Sequence, residues 1–396
     1  MSYQASVPPS QVPSGERFLA LDQLRGFVIV LVVLHHAILA YCTFGHIDRA
    51  HYALSTAPIV DARRWIGFDL AVMLNDGFFM PLLFLLSGLF VWNGLTRKKP
   101  WHFLRGRLLR LVLPFAVAEL TVVPLAYYPS FLQAGGTLGL PGFWMQTVTL
   151  GPWPSGPPWF LSILFLFDAA ATLVFTLSRR AVPNPVSRET PEPARCFGFL
   201  LVGSILLYLP LLIAFGPARW VSFGPVAVQV SRVLLYAAYF AAGVALGASG
   251  QASIKRLGQG VSHRWAAWVV IALLTSAVFV GIRPLLTVTS GELPRWAAVS
   301  IVGVTLISYC AAACFALPAL FLRFGGHPGP LWTSLSANSF AIYLLHYPAV
   351  TWVQYALLPI PLSAVVKAMT TFGVALATSW VGAMLLRRVP GVARVI

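Results

Sequence analysis

Residues 21–40 read LDQLRGFVIVLVVLHHAILA. A short charged head carrying Asp22 and Arg25 gives way at Phe27 to an unbroken apolar run, interrupted only by His35 and His36. A run of this kind over 27–44 is long enough to cross the hydrocarbon layer of a bilayer as an α-helix. At about 1.5 Å per residue, His36 lies roughly 14 Å beyond Phe27, close to the middle of that layer. Asp22 and Arg25 are spaced i,i+3 and pair on one helical face. Arg25 and His36 are eleven residues apart, three turns, so they share a face about 16 Å apart. A positive anchor at the membrane surface with a base near the midplane, joined by a water-accessible passage, suits a long anionic ligand. Acyl-coenzyme A, with phosphates at one end and a thioester at the other, has that shape.

The rest of the chain agrees with a membrane setting. Of 396 residues, 58% are hydrophobic and only 10% charged, with a mean hydropathy of +0.79. So few charges cannot clothe a soluble exterior, and an aromatic content of 13% excludes disorder. A β-barrel would show short alternating segments instead of long apolar runs. The fold class is therefore all-α, polytopic, with about ten transmembrane helices. They are read at 27–44, 70–95, 111–128, 157–177, 196–214, 226–249, 265–282, 296–320, 334–357 and 363–386. Cys42, Cys196, Cys310 and Cys314 show neither disulfide nor metal spacing, and no metal is expected.

The net charge of +16 points to membrane orientation and not to nucleic acid. With the N-terminus in the cytoplasm, 19 basic residues fall inside and six outside, and two, Arg232 and Lys367, lie within spans. The bias places both termini in the cytoplasm. The expected organisation is an N-terminal cytoplasmic segment 1–26, a membrane domain 27–386 and a tail 387–396. The longer outer segments are 45–69 and 129–156. The second is rich in Gly and Pro, carries Trp144 and Trp153, and suits a stretch folded back over the bundle. The inner loop 178–195 reads as a flexible linker. No internal repeat is evident, which weighs against an inverted-repeat transporter.

An ionisable group inside a span is costly and faces a bundle interior or a wet cavity. The set comprises His35, His36, Asp76, Glu119, Asp168, Arg232, His346 and Lys367. Lys367 reads as snorkelling to the surface. Arg232 has two candidate partners, Glu119 and Asp168. His36 is either a hydrogen-bonded interior group or a base whose strength is set by what its second nitrogen touches. A proton-coupled transporter or flippase for a glycan or lipid-linked substrate would also carry such residues.

The motifs resemble acyltransferase family 3, polytopic membrane enzymes that O-acylate extracytoplasmic polysaccharides and related acceptors. Leu21-Asp22-Gln23-Leu24-Arg25-Gly26, with His36 following Arg25 after ten residues, resembles the family's first-span pattern. Four landmarks follow in family order: MPLLFLLSG over 80–88, Arg107-Leu108-Leu109-Arg110 before Leu113-Pro114, Trp159-Phe160-Leu161, and SFAIYLLH over 339–346. The last two also look similar to the glucan-succinylating branch.

The resemblance implies an O-acyltransferase of the bacterial inner (cytoplasmic) membrane. It would move an acetyl- or succinyl-class group from acyl-CoA, the co-substrate, to a hydroxyl of an extracytoplasmic glycan or similar acceptor. Arg107 and Arg110, with Arg25, are the expected phosphate ligands, although arginines at the inner surface also satisfy the orientation rule. His36, supported by Asp22 and Arg25 and oriented directly or through a carboxylate such as Asp76, is the expected general base. An acyl-imidazole on His36 is the other route. Asp76, Trp159, Tyr343 and His346 are the expected acceptor-side residues, with aromatic packing an equal reading for Tyr343.

Overall fold

A computed structural model describes residues 15–154, 156–178, 192–288, 293–325 and 329–395. The expected linker over 178–195 lies mostly outside the described residues. The described residues are mostly helical. The helices are α1 (Gly15–Leu39), α2 (Ile66–Gly88), α3 (Val91–Arg97), α4 (Pro100–Arg107), α5 (Leu113–Val117), α6 (Val123–Gln133), α7 (Leu140–Leu150), α8 (Trp159–Ser178) and α9 (Pro193–Phe215). They continue with α10 (Val233–Ala248), α11 (Gln251–His263), α12 (Trp265–Val288), α13 (Arg295–Phe324), α14 (Pro330–Leu357) and α15 (Ala364–Leu386).

Among the described residues, nine stretches are long and apolar enough to cross a membrane. The expected span 334–357 is helical within α14 but is not one of them. Its face carries Asn338, Ser339, His346, Thr351 and Gln354, all buried, and these polar groups lower its hydropathy. The expected span 111–128 is part of a longer rod over 100–133, in which π-helical turns at Leu108–Val112 and Ala118–Val122 flank α5. The expected span 226–249 begins too early. Val226–Gln229 is a strand (β2) paired antiparallel with Trp220–Phe223 (β1) across a Gly224-Pro225 turn, with Gly224 at φ +60°. That dihedral suits glycine, and alternating β-branched residues follow it.

α1 lies at the centre, packed against α2, α13, α14 and α15. Gly26 makes its approach to α14 possible, because a Cβ there would stand 2.7 Å from Ser336 Oγ. α2 and α10 meet in the same way at Gly88 and Gly243, where an added Cβ would run into the facing backbone. Small residues at such crossings give membrane helices the close van der Waals contact that substitutes for a hydrophobic drive. α1 and α14 run parallel: Phe27 lies near Trp332 at one end, and Gln354 hydrogen-bonds the Ala37 carbonyl at the other. The end holding Arg25 is called the lower end below, and the end holding residues 40–65 the upper end.

Residues 40–65 fold tightly over the upper end. Asp61 N–H donates to the Ala40 carbonyl, and Asp61 accepts from Lys367 Nζ at 2.7 Å. In the same loop, the backbone N–H groups of His51 and Ala50 hold the half-buried Asp48 carboxyl below the usual carboxylate range. In the outer stretch 129–156, α7 packs on α6 and Trp144 Nε1 donates to the Leu120 carbonyl. Pro154, Gly156, Pro157 and Pro158 are buried, so the stretch turns back into the bundle before α8 begins.

Candidate active site

The parallel packing of α1 on α14 brings two imidazoles together. His346 Nε2 lies 3.3 Å from His36 Nδ1, with ring centroids 5.2 Å apart. Each ring is also tied to a main-chain carbonyl, His36 Nδ1 to Val32 at 2.8 Å and His346 Nδ1 to Tyr343 at 2.6 Å. A carbonyl only accepts, so both Nδ1 atoms carry hydrogen. His346 Nε2 then holds a lone pair directed at His36 Nδ1–H, which it shares with the Val32 carbonyl. This leaves His36 Nε2 as a lone pair that no side chain or carbonyl among the described residues engages. His36 is only partly buried, whereas His346 is fully buried.

The walls of the site are aromatic. Tyr347 stands edge-on to His36 at 5.1 Å, and Tyr127 packs against Tyr347 at 5.9 Å. Gln354 donates to the His36 and Ala37 carbonyls at 2.9 and 3.1 Å, satisfying acceptors that the end of α1 leaves open. Tyr347, Tyr127 and Gln354 were not among the sequence candidates. The signal that points to them is the spacing of Tyr343, His346, Tyr347, Thr351 and Gln354, which recur on one face of α14.

Tyr343 is buried and its hydroxyl donates to the Pro157 carbonyl, so the start of α8 is fastened to the site. Trp159, two residues on, faces a different neighbourhood. Its ring meets Trp220 of β1 and Tyr236 of α10. Asp76 belongs to that neighbourhood as well and is not the orienting partner of His36. Arg232 Nη2 contacts Asp76 Oδ2 at 2.5 Å, and Nη1 donates to the Asp76 carbonyl at 2.8 Å. His35 lies between the two groups, its ring tilted against Phe79 at 5.3 Å and within electrostatic reach of both Asp76 and Arg232.

Several expected pairings are corrected. Asp168 neutralises Arg107 and not Arg232: Arg107 Nε lies 3.1 Å from Asp168 Oδ2, and Asp168 is fully buried. Glu119 has no partner for either oxygen among the described residues, although it lies within electrostatic reach of Tyr127 and Tyr343. Lys367 does not snorkel. It is 1% exposed and locked to Asp61, a residue whose loop setting gave no warning of the pairing.

At the lower end, Arg25 pairs with Asp22 at 3.0 Å, lies over the Phe90 ring and stands within electrostatic reach of Arg107. Arg107 is partly exposed and engages Asp168 through Nε. Among the described residues no hydrogen bond occupies its two terminal nitrogens. Arg110 is not part of this group, because the π-helical turn Leu108–Val112 leaves it exposed. The passage expected from Arg25 to His36 is not open along the face they share: Ile29 is 6% and Val32 only 2% exposed, so buried apolar side chains lie between the arginine and the imidazole.

A membrane-embedded helical bundle with a histidine pair at its central seam and arginines at one end defines a class of polytopic membrane protein. The family model described as an acyltransferase domain, acyltransferase family 3, matches residues 18–388, and the chain belongs to that family. It is a multi-pass membrane acyltransferase. No curated protein matches it.

Proposed function

We propose that the chain moves an acetyl- or succinyl-class acyl group from cytoplasmic acyl-CoA to a hydroxyl of an extracytoplasmic glycan or similar acceptor, across the inner membrane. The observation that carries this reading is the hydrogen-bond order of the histidine pair, which holds His36 by Nδ1 and leaves Nε2 open. In the forward reaction Nε2 takes the acceptor hydroxyl proton as the oxygen attacks the thioester carbonyl. The tetrahedral oxyanion then collapses, the C–S bond breaks, and the departing thiolate recovers the proton from the imidazolium. His346 is a positioning residue: its lone pair stabilises the Nδ1 proton while positive charge resides on the His36 ring. An acyl-imidazole intermediate would form on the same Nε2 atom.

The arginines at the lower end suit the donor. Arg25 and Arg107 stand within electrostatic reach of each other, and forked donors of this kind fit phosphate oxygens. The donor's pantetheine arm would part Ile29 and Val32 to bring the thioester to His36. Radiolabelled acyl-CoA supplied to membranes containing the protein tests the reading. Label appears on an acceptor if the protein is a transferase of this kind. A proton-coupled carrier or flippase would leave the label on coenzyme A.

A further inference from the structure

A second polar recess opens at the lower end, away from the histidine seam. Its volume is about 520 Å³, and Arg264, Arg323, His263, Ser262, Gln259 and Pro193 line it. Helix α11 forms one wall. Its apolar residues Ile254, Leu257 and Val261 pack onto the bundle, while Lys255 and Arg256 are exposed. An amphipathic helix of this pattern between two spans lies in the plane of the membrane surface.

The position of the recess selects its ligand. It lies where α9, α11, α12 and α13 meet. Only 17% of the apolar window of α9 and 11% of that of α12 is buried, so these helices form the lipid-facing rim. Of the basic groups, Arg264 is 3.7 Å from Glu192, with both side chains more than half exposed, and such a pair contributes little. Arg323 has no ion-pair partner among the described residues. A mainly apolar groove of about 350 Å³ is lined by Leu320, Phe321, Phe324 and Trp332, with Gln23 and two glycines completing it. Phe324, which lines the groove, is edge-on to Trp265, and the chain neighbours of these two rings, Arg323 and Arg264, line the recess.

Basic recess and aromatic groove together fit a molecule with an anionic head and a hydrocarbon tail. We infer that Arg264 and Arg323 bind the headgroup phosphate of an anionic membrane lipid whose acyl chain lies along the Phe321–Phe324 groove. A soluble phosphate would use the recess alone.

The test uses the full chain purified in detergent, with phosphatidylglycerol, phosphatidylcholine of the same acyl chains, or inorganic phosphate added separately. Bound lipid is counted by native mass spectrometry, and protection is read as a rise in melting temperature. Phosphatidylglycerol is expected to be retained and protective, with phosphatidylcholine and inorganic phosphate well below it. Arg264→Gln with Arg323→Gln should weaken retention by about thirtyfold, roughly fivefold for each arginine. Lys98→Gln with Lys99→Gln, an equal charge loss elsewhere, should change retention less than about twofold. Equal loss in both double variants, equal retention of phosphatidylcholine, or equal protection by inorganic phosphate would each overturn the inference. If the first double variant does not fold, Arg323→Gln alone decides: unchanged retention of phosphatidylglycerol contradicts the site.

Discussion

Lys367 and Asp61, at the upper end of α15, satisfy each other in near-complete burial, whereas His36 on the neighbouring α1 keeps a ring nitrogen unengaged. Both regions place ionisable groups where water is scarce. At Lys367 two of the three ammonium donors are engaged, by the carboxylate at 2.7 Å and the Leu358 carbonyl at 3.3 Å, and the result fastens the upper loop to α15. At His36 the protein spends a second histidine, a carbonyl and an aromatic wall on holding the ring, then stops short of its Nε2. A structural charge is closed off by its partners, while a group that handles protons is held firmly and left one position free. Arg232 with Asp76 is less complete: both terminal nitrogens are engaged, Nε has no hydrogen-bond partner among the described residues, and the Asp76 side chain is 42% exposed. Arg107 stands between, anchored by Asp168 through Nε with its terminal nitrogens left over.

The sharpest way to break this contrast is to open the closed pair. Lys367→Met strands Asp61 in a dry setting and should cost about 3–5 kcal/mol, read as a large fall in melting temperature. Adding Asp61→Leu should restore most of that loss. A single variant as stable as the parent would show that the pair does not hold the upper loop. Next in size is the support of the open group. His346→Ala should lower kcat by about 10²-fold with little change in KM for the donor, and His346→Gln should recover part of it. A structural role alone would predict loss of folded protein in both variants, with kcat per folded molecule unchanged.

Smaller effects separate the arginines. Arg107→Ala combined with Asp168→Asn, which avoids an unpaired buried carboxylate, should raise KM for acyl-CoA about tenfold, the loss of one charge-assisted contact. Arg110→Ala should shift KM by less than about threefold, since its side chain faces outward. Identical shifts for the two would mean that only surface charge is being read. Glu119 supplies the smallest test. Removing an unpartnered buried carboxyl by Glu119→Gln should leave stability within about 1 kcal/mol or raise it. Loss of transfer from a stable Glu119→Gln protein would move Glu119 into the chemistry beside Tyr127 and Tyr343.

Much of the fold was legible because apolar runs in a membrane protein report length directly. The Arg25–His36 spacing likewise follows from helical geometry on one element. What the sequence concealed was pairing between elements. Arg232 had two carboxylates available on paper and took a third, Asp76, because α2 and α10 are drawn together at Gly88 and Gly243. Lys367 looked like a surface lysine because its partner lies in a polar loop more than 300 positions away. His346 was visible as a candidate, but its contact with His36 depends on the parallel course of α1 and α14, which no local pattern encodes. The same helix was read as a span over 334–357, although the polar residues that build the site reduce the hydropathy by which spans are recognised. Val32 and Ile29 close the expected passage because a helical face that carries two polar groups still presents apolar side chains between them.

The most direct measurement is acyl transfer from radiolabelled acyl-CoA by purified His36→Ala protein, compared with the parent at matched melting temperature. With the open nitrogen removed and the fold intact, label should remain on coenzyme A while the donor still binds. Transfer at the parental rate by the folded variant would show that the imidazole between Val32 and His346 is not the base.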